Sequence, residues 1–485
     1  MSEIKGKLLI ALFVLSSILQ AQVSSFYNSN IWYFGKYAGL NFNAGYPIAV
    51  YGGQTNTVEG VATICDPNGN LLFYTEGTKI WNRFHQLMPN GTGLLGHFSA
   101  TQSSIIVPDL NINNKFYVFT VDAVENHLQN GFRYSIVDMT LNNGLGDVVP
   151  SQKNILLHSP VCEKVTAILD QNETGYWILT HEWNSNAFYA YHLTVNGLDT
   201  VPVVSNCGSI HSGGAYPNYA WLDGWLNAEG YLRPNRSGTK LAVLRYRAPL
   251  ELFDFDRGTG QVSNPITAPI PLEQSSVCEF SPDQSKLYVS TISSALATTN
   301  YIYQFDLSQP NPLNNVQVLV HLTDGNEPSG IQIGPDGNVY VSEFNASNDV
   351  KYLSRIDNPD LPIPYSTYVR NAVPLTNDAS AKRGLPNLYY YKGFQFITEV
   401  NKNEINENVN FVFKSNLSNS TFLFKNPFNE KILIKIYDVS GKMLEQFLLS
   451  EKEEKEETLN YNNGIYLSIA LSDKHIVSQK FSINN

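Results

Sequence analysis

The chain is 485 residues long, carries a formal net charge of −11 with an isoelectric point near 5.3, and has only 15% charged residues. That balance excludes a nucleic-acid partner, which would need a basic footprint. Its 28 tyrosines and 25 phenylalanines suit a fold made of many half-buried strands.

Residues 1–22, MSEIKGKLLIALFVLSSILQAQ, place Lys5 and Lys7 before an apolar run from Leu8 to Leu19 and a short polar stretch. This is the layout of a secretory signal peptide, and the apolar run is too short to span a bilayer comfortably. No later segment reaches ~18 consecutive apolar residues, so the mature protein is expected to carry no transmembrane segment.

The next elements are strands. "NIWYFG" and "AGLNFN", within 30–43, read as a second and a third strand with no inner strand before them. Six copies of one design follow, each an apolar strand, a turn and an alternating strand, then a third strand. The clearest are "VCEFSPDQSKLYVSTI" with "YIYQFDLS" and "SGIQIGPDGNVYVSEF" with "YLSRIDNP". Looser copies are "GVATICDPNGNLLFYTE" with "TKIWNRF", "SSIIVPDLNINNKFYVFTVDA" with "FRYSIVDMT", "KVTAILDQNETGYWILTHEW" with "AFYAYHLT", and "GYLRPNRSGTKLAVLRY" with "LELFDFD". Strand triplets repeating every ~45–65 residues are the mark of a β-propeller. "GLPNLYYY" (384–391) then reads as an inner strand without partners. Joined to 30–43, it completes a seventh blade and leaves no open sheet edge. The fold expected for 23–393 is therefore an all-β, seven-bladed propeller closed by its N- and C-terminal strands.

Candidate functional residues follow from that geometry. "THEWNSNAF" begins like a zinc-protease helix, but Ser185 stands where a second histidine is needed, and "GYWILTHEW" alternates as a strand. His181 and Glu182 instead end a second strand, at the same rim as the starts of the inner strands. Other second strands end near that rim with Glu76, Asp122, Arg245 and Glu343. Nine positions before the turn residue, four copies carry Glu59, Glu163, Gln274 and Glu327, and Glu229 falls one residue out of register. Such a ring would hold a hard cation such as calcium or bond the hydroxyls of a sugar; the plainer reading is that it accepts backbone N–H bonds and ties blades together. The insertion 211–231 adds His211, Tyr216, Tyr219, Trp221 and Trp225. These aromatics either stack on a ligand or bury themselves beneath the loop. Of the four cysteines, Cys162 and Cys207 are the expected disulfide, whereas Cys65 and Cys278 fall in inner strands as buried thiols.

The chain ends in a polar linker (394–420) and a small all-β module (421–485) containing "ILIKIYDV", the turn Ser440-Gly441-Lys442 and the strand opening Gly464-Ile465-Tyr466-Leu467. In order, Asn426-Pro427, Asp438, Gly441, Gly464, Tyr466 and Lys480 match the pattern of a type A C-terminal sorting domain of type IX secretion, which this module resembles; Asn462-Asn463 replace the usual hydrophobic-proline pair. The blades, through "GFRYSIVDMTLNNGLGDVV", "THEWNSNAFYAYHLT", "NAEGYLRPNRSGTKLAV" and "LFDFDRGTGQVSNPI", resemble the WD40-like repeat domain of exported proteins that carry gliding-motility or type IX tails. These resemblances imply a β-sandwich address label read by the type IX machinery, delivery across the outer membrane, and a cell-surface or secreted propeller without established catalytic residues.

The function expected is a non-catalytic binding module for a glycan, a surface protein or a surface polymer. The alternative is a propeller-based carbohydrate-active or lactone-cleaving enzyme using Glu163, Glu182 and Glu327, and a third reading is a structural part of a surface or motility assembly. No Ser/His/Asp order or phosphate loop stands out, and nine scattered histidines do not form ligand spacing.

Overall fold

In the computed structural model, the described residues are 29–389, without 216–221, 223, 270–274, 292–298 and 377, and 414–483, without 417–420, 427–428, 439–442, 460, 462–463 and 472–475. They fall in two compact units that divide at Phe394.

The first unit is a seven-bladed β-propeller. Blade one runs Ala62–Cys65, Leu71–Thr75, Lys79–Asn82 and Leu87–Thr92, antiparallel throughout and in sequence order from the axis outward. Blades four, five and six repeat this four-stranded plan, beginning at Leu232, Ser275 and Glu327. In blades two and three, which begin at Ser104 and Thr166, two strands share the outer position. Every third strand named from the sequence is present. The outer strands went unread because they are exposed and carry little apolar alternation, as in Gln261–Thr267.

The turn that joins inner and second strands explains the repeat. In blade one Asp66 Oδ1 accepts the backbone N–H groups of Asn68 (2.8 Å) and Asn70 (2.9 Å), closing a turn on its own side chain. Asp336 does the same for Asn338 N–H (3.2 Å) and also accepts the Tyr340 hydroxyl at 2.6 Å. Each turn thereby returns the chain antiparallel, and the strands on either side bury both faces against neighbouring blades.

Blade seven is where the ring closes. Ile31–Phe34, Ala38–Asn41 and Ile48–Ala49 supply its outer three strands. Trp32 lies edge-on to Tyr340 of blade six and packs in one cluster with Phe34, Leu40, Leu385 and Leu388, which joins the two ends of the propeller through buried apolar surface. Lys36 and Ser380 exchange two backbone hydrogen bonds of 3.0 and 2.9 Å. Beyond them the closing segment 383–389 takes the inner position. Arg383 N–H donates to Val58 O (2.8 Å), Asn387 N–H donates to Val61 O (2.7 Å), and Pro386 pairs with Val61 in parallel. The Asn387 side-chain amide crosses to Ser104 O (3.2 Å) and Val165 O (2.9 Å), tying the inner positions of blades two and three.

Closure thus differs in detail from the strand expected over 384–391. Among the described residues no continuous ladder joins 384–389 to Ile31–Phe34. Pro386 has no N–H to give, and Asn387 spends its own on blade one. Tyr390 and Tyr391 lie outside the described residues.

The second unit packs two small sheets, Lys414–Asn416/Thr421–Lys425/Glu454–Thr458 and Met443–Leu449/Ile432–Asp438/Gly464–Leu471/Ile476–Ile483. Phe422, Phe424, Ile434, Ile436, Leu449 and Tyr466 are buried in its core. Asn426 is fully buried, and its side-chain amide donates to Glu430 O and Ser450 O, both at 2.7 Å. The charged run after Ser450 forms the edge strand Glu454–Thr458, whose exposed charges discourage further pairing. Lys414–Asn416, within the stretch expected as linker, is a strand of this unit; 394–413 lies outside the described residues.

The expected disulfide is corrected. Cys162 and Cys207 are both free thiols, as are Cys65 and Cys278. Cys207 lies in an outer strand with its sulfur against Val262 O of blade four (3.4 Å), whereas Cys162 is buried beneath the rim against His211 Nδ1 (3.6 Å). Both lie around blade three, but they serve different interfaces.

Candidate functional site at the channel mouth

The inner strands deliver a ring of acids to one mouth of the channel. Glu59, Glu163 and Glu229 stand just before the inner strands of blades one, three and four, and Glu327 opens that of blade six. Their carboxyls feel one another's charge, together with that of Glu125. Glu125 fills the place left empty in blade two. It sits in a short 3-10 helix, Val124–Asn126, just after the second strand, so the spacing rule that found the others could not find it. Gln274, the blade-five member, lies outside the described residues.

The closing segment contributes the opposite charge. Arg383 donates through Nε (3.1 Å) and Nη2 (2.9 Å) to Glu327 Oε2, and its guanidinium lies 4.6 Å above the Phe344 ring. Burial works against the Arg383 charge, but Glu327 and Glu59 hold it above the ordinary guanidinium range. No periodicity marks this residue, because it reaches the ring only when the two ends of the propeller meet.

The acids divide by environment. Glu163 is fully buried, and its oxygens accept Thr101 N–H (2.8 Å), Thr101 Oγ1–H (2.8 Å) and Val124 N–H (2.7 Å), which ties blade three to blade two. Burial and then Glu125 nevertheless push its carboxyl up to about 8, against the pull of those hydrogen bonds. Glu59 and Glu229 are half-buried. Desolvation first, then Glu163, raises both carboxyls well above the usual range, which favours their protonated form over a wider pH span than in a free glutamate. Under Glu229, the buried Lys164 ammonium donates to Ala228 O and Glu229 O, both at 2.7 Å.

His181 and Glu182 do not act together. Glu182 faces outward and accepts His158 Nε2–H (2.9 Å) and the Tyr189 hydroxyl (3.2 Å). Burial alone would raise its carboxyl, but His158, Ser185 and Tyr189 outweigh that and hold it below its ordinary value. His181 turns inward, is fully buried, and stacks on His211 with ring centroids 3.6 Å apart. Neither side chain joins the ring of acids. The other second-strand ends are taken up in local networks. Glu343 accepts from Arg370, Ser354, Asn326 and Tyr368, Arg245 pairs with Glu251, and Asp122 accepts from Asn126 and Asn130.

The insertion is half legible. Trp221, Tyr216 and Tyr219 lie outside the described residues. Trp225 is half-buried, stacks on Trp183 (5.7 Å, 17°), and packs against a core of Leu128, Cys162, Leu222 and Tyr246. This favours the self-burying reading for Trp225. Trp225→Ala should therefore destabilise the propeller by about 2–3 kcal/mol in denaturant unfolding. An unchanged midpoint would instead mark Trp225 as a free ligand-facing ring.

Against known proteins, residues 416–484 match the secretion system C-terminal sorting domain. The chain is therefore a type IX secretion substrate, a β-propeller delivered to the cell surface or the extracellular space. No helix among the described residues is long and apolar enough to cross a membrane. No curated protein matches the chain. Among solved structures, a protein from Lactobacillus plantarum is similar at 12% identity, with 79% of this chain and 93% of that one covered and a TM-score of 0.37. The Dos1 propeller is similar at 9% identity, 73% and 86% coverage and a TM-score of 0.39. The periplasmic gluconolactonase PpgL of Pseudomonas aeruginosa is similar at 11% identity, 79% and 97% coverage and a TM-score of 0.36. Likenesses this distant say nothing of ligand or reaction.

Proposed function

We propose that this exported propeller is a non-catalytic binding module that holds a hydroxyl-rich ligand, a glycan or glycan-bearing surface polymer, at the channel mouth. The observation that carries the reading is the ring itself, in which glutamates from five blades meet one arginine from the closing segment. A protonated carboxyl offers one O–H donor beside an acceptor, and a guanidinium offers a planar fork. Together they suit neighbouring sugar hydroxyls, which both donate and accept. Glu59 and Glu229 are the members that would meet the ligand, with Arg383 beside them.

Calcium fits this set poorly. The ion takes about six to eight oxygens, yet Glu163 is already held by three hydrogen bonds and Glu327 by Arg383, which also brings a positive charge. The enzyme alternative draws on the same raised carboxyls, since a raised carboxyl keeps the proton that a general acid must give. A place in a surface or motility assembly draws only on the resemblance of the repeats.

A glycan array probed with the full-length mature protein, run beside a panel of glycoside and lactone substrates, separates these readings. Binding without turnover is expected, and Arg383→Ala or Glu229→Ala should weaken it by about tenfold or more, as the loss of hydrogen bonds to charged or buried groups does. Turnover that disappears in Glu229→Gln would replace the binding reading with the enzymatic one. A blank array, with a surface protein recovered by pull-down, would replace it with the assembly reading.

A further inference from the structure

Beneath the rim of blade three, Cys162, His181 and His211 are all buried, and one ligand atom from each lies within 4.8 Å of the others. Cys162 lies just before the inner strand, His181 ends the second strand and His211 ends an outer strand. Cys162 Sγ is 3.6 Å from His211 Nδ1 and 4.0 Å from His181 Nδ1. A sulfur and an imidazole nitrogen sharing one ion at ordinary bond lengths lie about 3.7 Å apart, which the Cys162–His211 pair matches at 3.6 Å, with the His181 ring alongside. His181 is already arranged as a ligand. Its Nδ1–H donates to Glu182 O at 2.8 Å, which places the lone pair on Nε2, and that buried nitrogen has no hydrogen-bond partner. Leu222, Leu226, Trp183 and Tyr246 pack around Cys162 and shut the cluster from solvent.

From this geometry we infer that Cys162, His181 and His211 form a closed site for one soft, monovalent metal ion, cuprous copper. Thiolate selects soft ions, and imidazole takes copper as readily as zinc. Lys164 and Arg245 act electrostatically on all three residues, opposed at Cys162 by Glu163 and at Arg245 by its Glu251 partner. A cuprous thiolate is neutral overall, whereas a zinc thiolate would leave a net charge beside two cations and would want a fourth ligand. The two imidazole planes are 13° from parallel, so the ion enters at their shared edge beside Sγ with a small opening of the stack. On binding, Cys162 gives up its thiol proton and the S–H bond is replaced by S–Cu. The ion would pin two strands of blade three to the segment leading into its inner strand, where the chain departs into the 212–231 insertion.

The test is transfer of cuprous ion from its bicinchoninate complex to the reduced full-length protein. One equivalent should pass, the melting temperature should rise by several degrees, and X-ray absorption should show one sulfur and two nitrogens. Cys162→Ser and His211→Asn should each weaken uptake by more than about 100-fold, above the cost of losing an outer-shell partner, while Cys207→Ser should leave it unchanged. Should one variant fail to fold, the other and the wild-type coordination shell carry the test. No uptake, uptake undisturbed in Cys162→Ser, or tighter uptake of Zn2+ than of cuprous ion would each overturn the assignment.

Discussion

The double variant Glu59→Gln/Glu229→Gln should melt several degrees above the wild type at pH 8 and close to it at pH 5. The sign follows from proton counting. In the unfolded chain both glutamates ionise near their ordinary value, but in the propeller burial and neighbouring acids raise both pKa values. Between the unfolded value and the raised folded value the native state binds more protons, so stability falls as pH rises. Each unit of raised pKa costs about 1.4 kcal/mol once the pH passes both values. Glutamine keeps the shape of the protonated acid and cannot ionise, so it removes that slope. Thermal unfolding of wild type and variant across pH 5–8 reads the effect. Parallel curves would mean that both carboxyls are solvated, and the proposed mouth would lose its desolvated character.

Gly384→Ala should destabilise the propeller by about 3 kcal/mol or more, at the upper end of overpacking costs. The closing segment passes so near blade one that a Cβ on Gly384 would lie 1.9 Å from the Glu59 carbonyl oxygen. That contact is backbone against backbone, and no side chain can turn aside. Gly144→Ala is the control. Gly144 has a positive φ of 80° but open space around it, so alanine there should cost only about 1 kcal/mol. Equal losses from the two substitutions would show that 384 does not run against Glu59. Because Glu59 and Arg383 flank this contact, a true closure defect in Gly384→Ala should also impair any ligand held at the mouth.

Much of this molecule was legible because its repeat is local. An apolar strand, an aspartate turn and a second strand are read within about twenty residues, and neighbouring blades repeat the pattern often enough to reveal a period. The sorting domain was legible for a similar reason, through local signals read in a fixed order along about 55 residues, such as the turn after Asp438 and the strand opening at Gly464 and Tyr466. Spacing from the turn also placed Glu59, Glu163 and Glu327 at one mouth and left Glu229 only a residue out of register.

What the chain order concealed is what distant segments do when they meet. Arg383 carries no sequence signal and reaches Glu327 only because the ring closes. Glu125 stands outside the spacing rule because it follows a second strand. His181 and Glu182 are adjacent in the chain, yet one enters the core and the other turns outward. Cys162 meets His211, 49 positions away, and not Cys207. By itself the sequence determined the export label, the strand order and the number of blades, since each rests on residues a turn or a repeat apart. Which side chains are desolvated, and which charges share one space, was decided by tertiary structure alone, because burial depends on what the rest of the chain brings beside a residue.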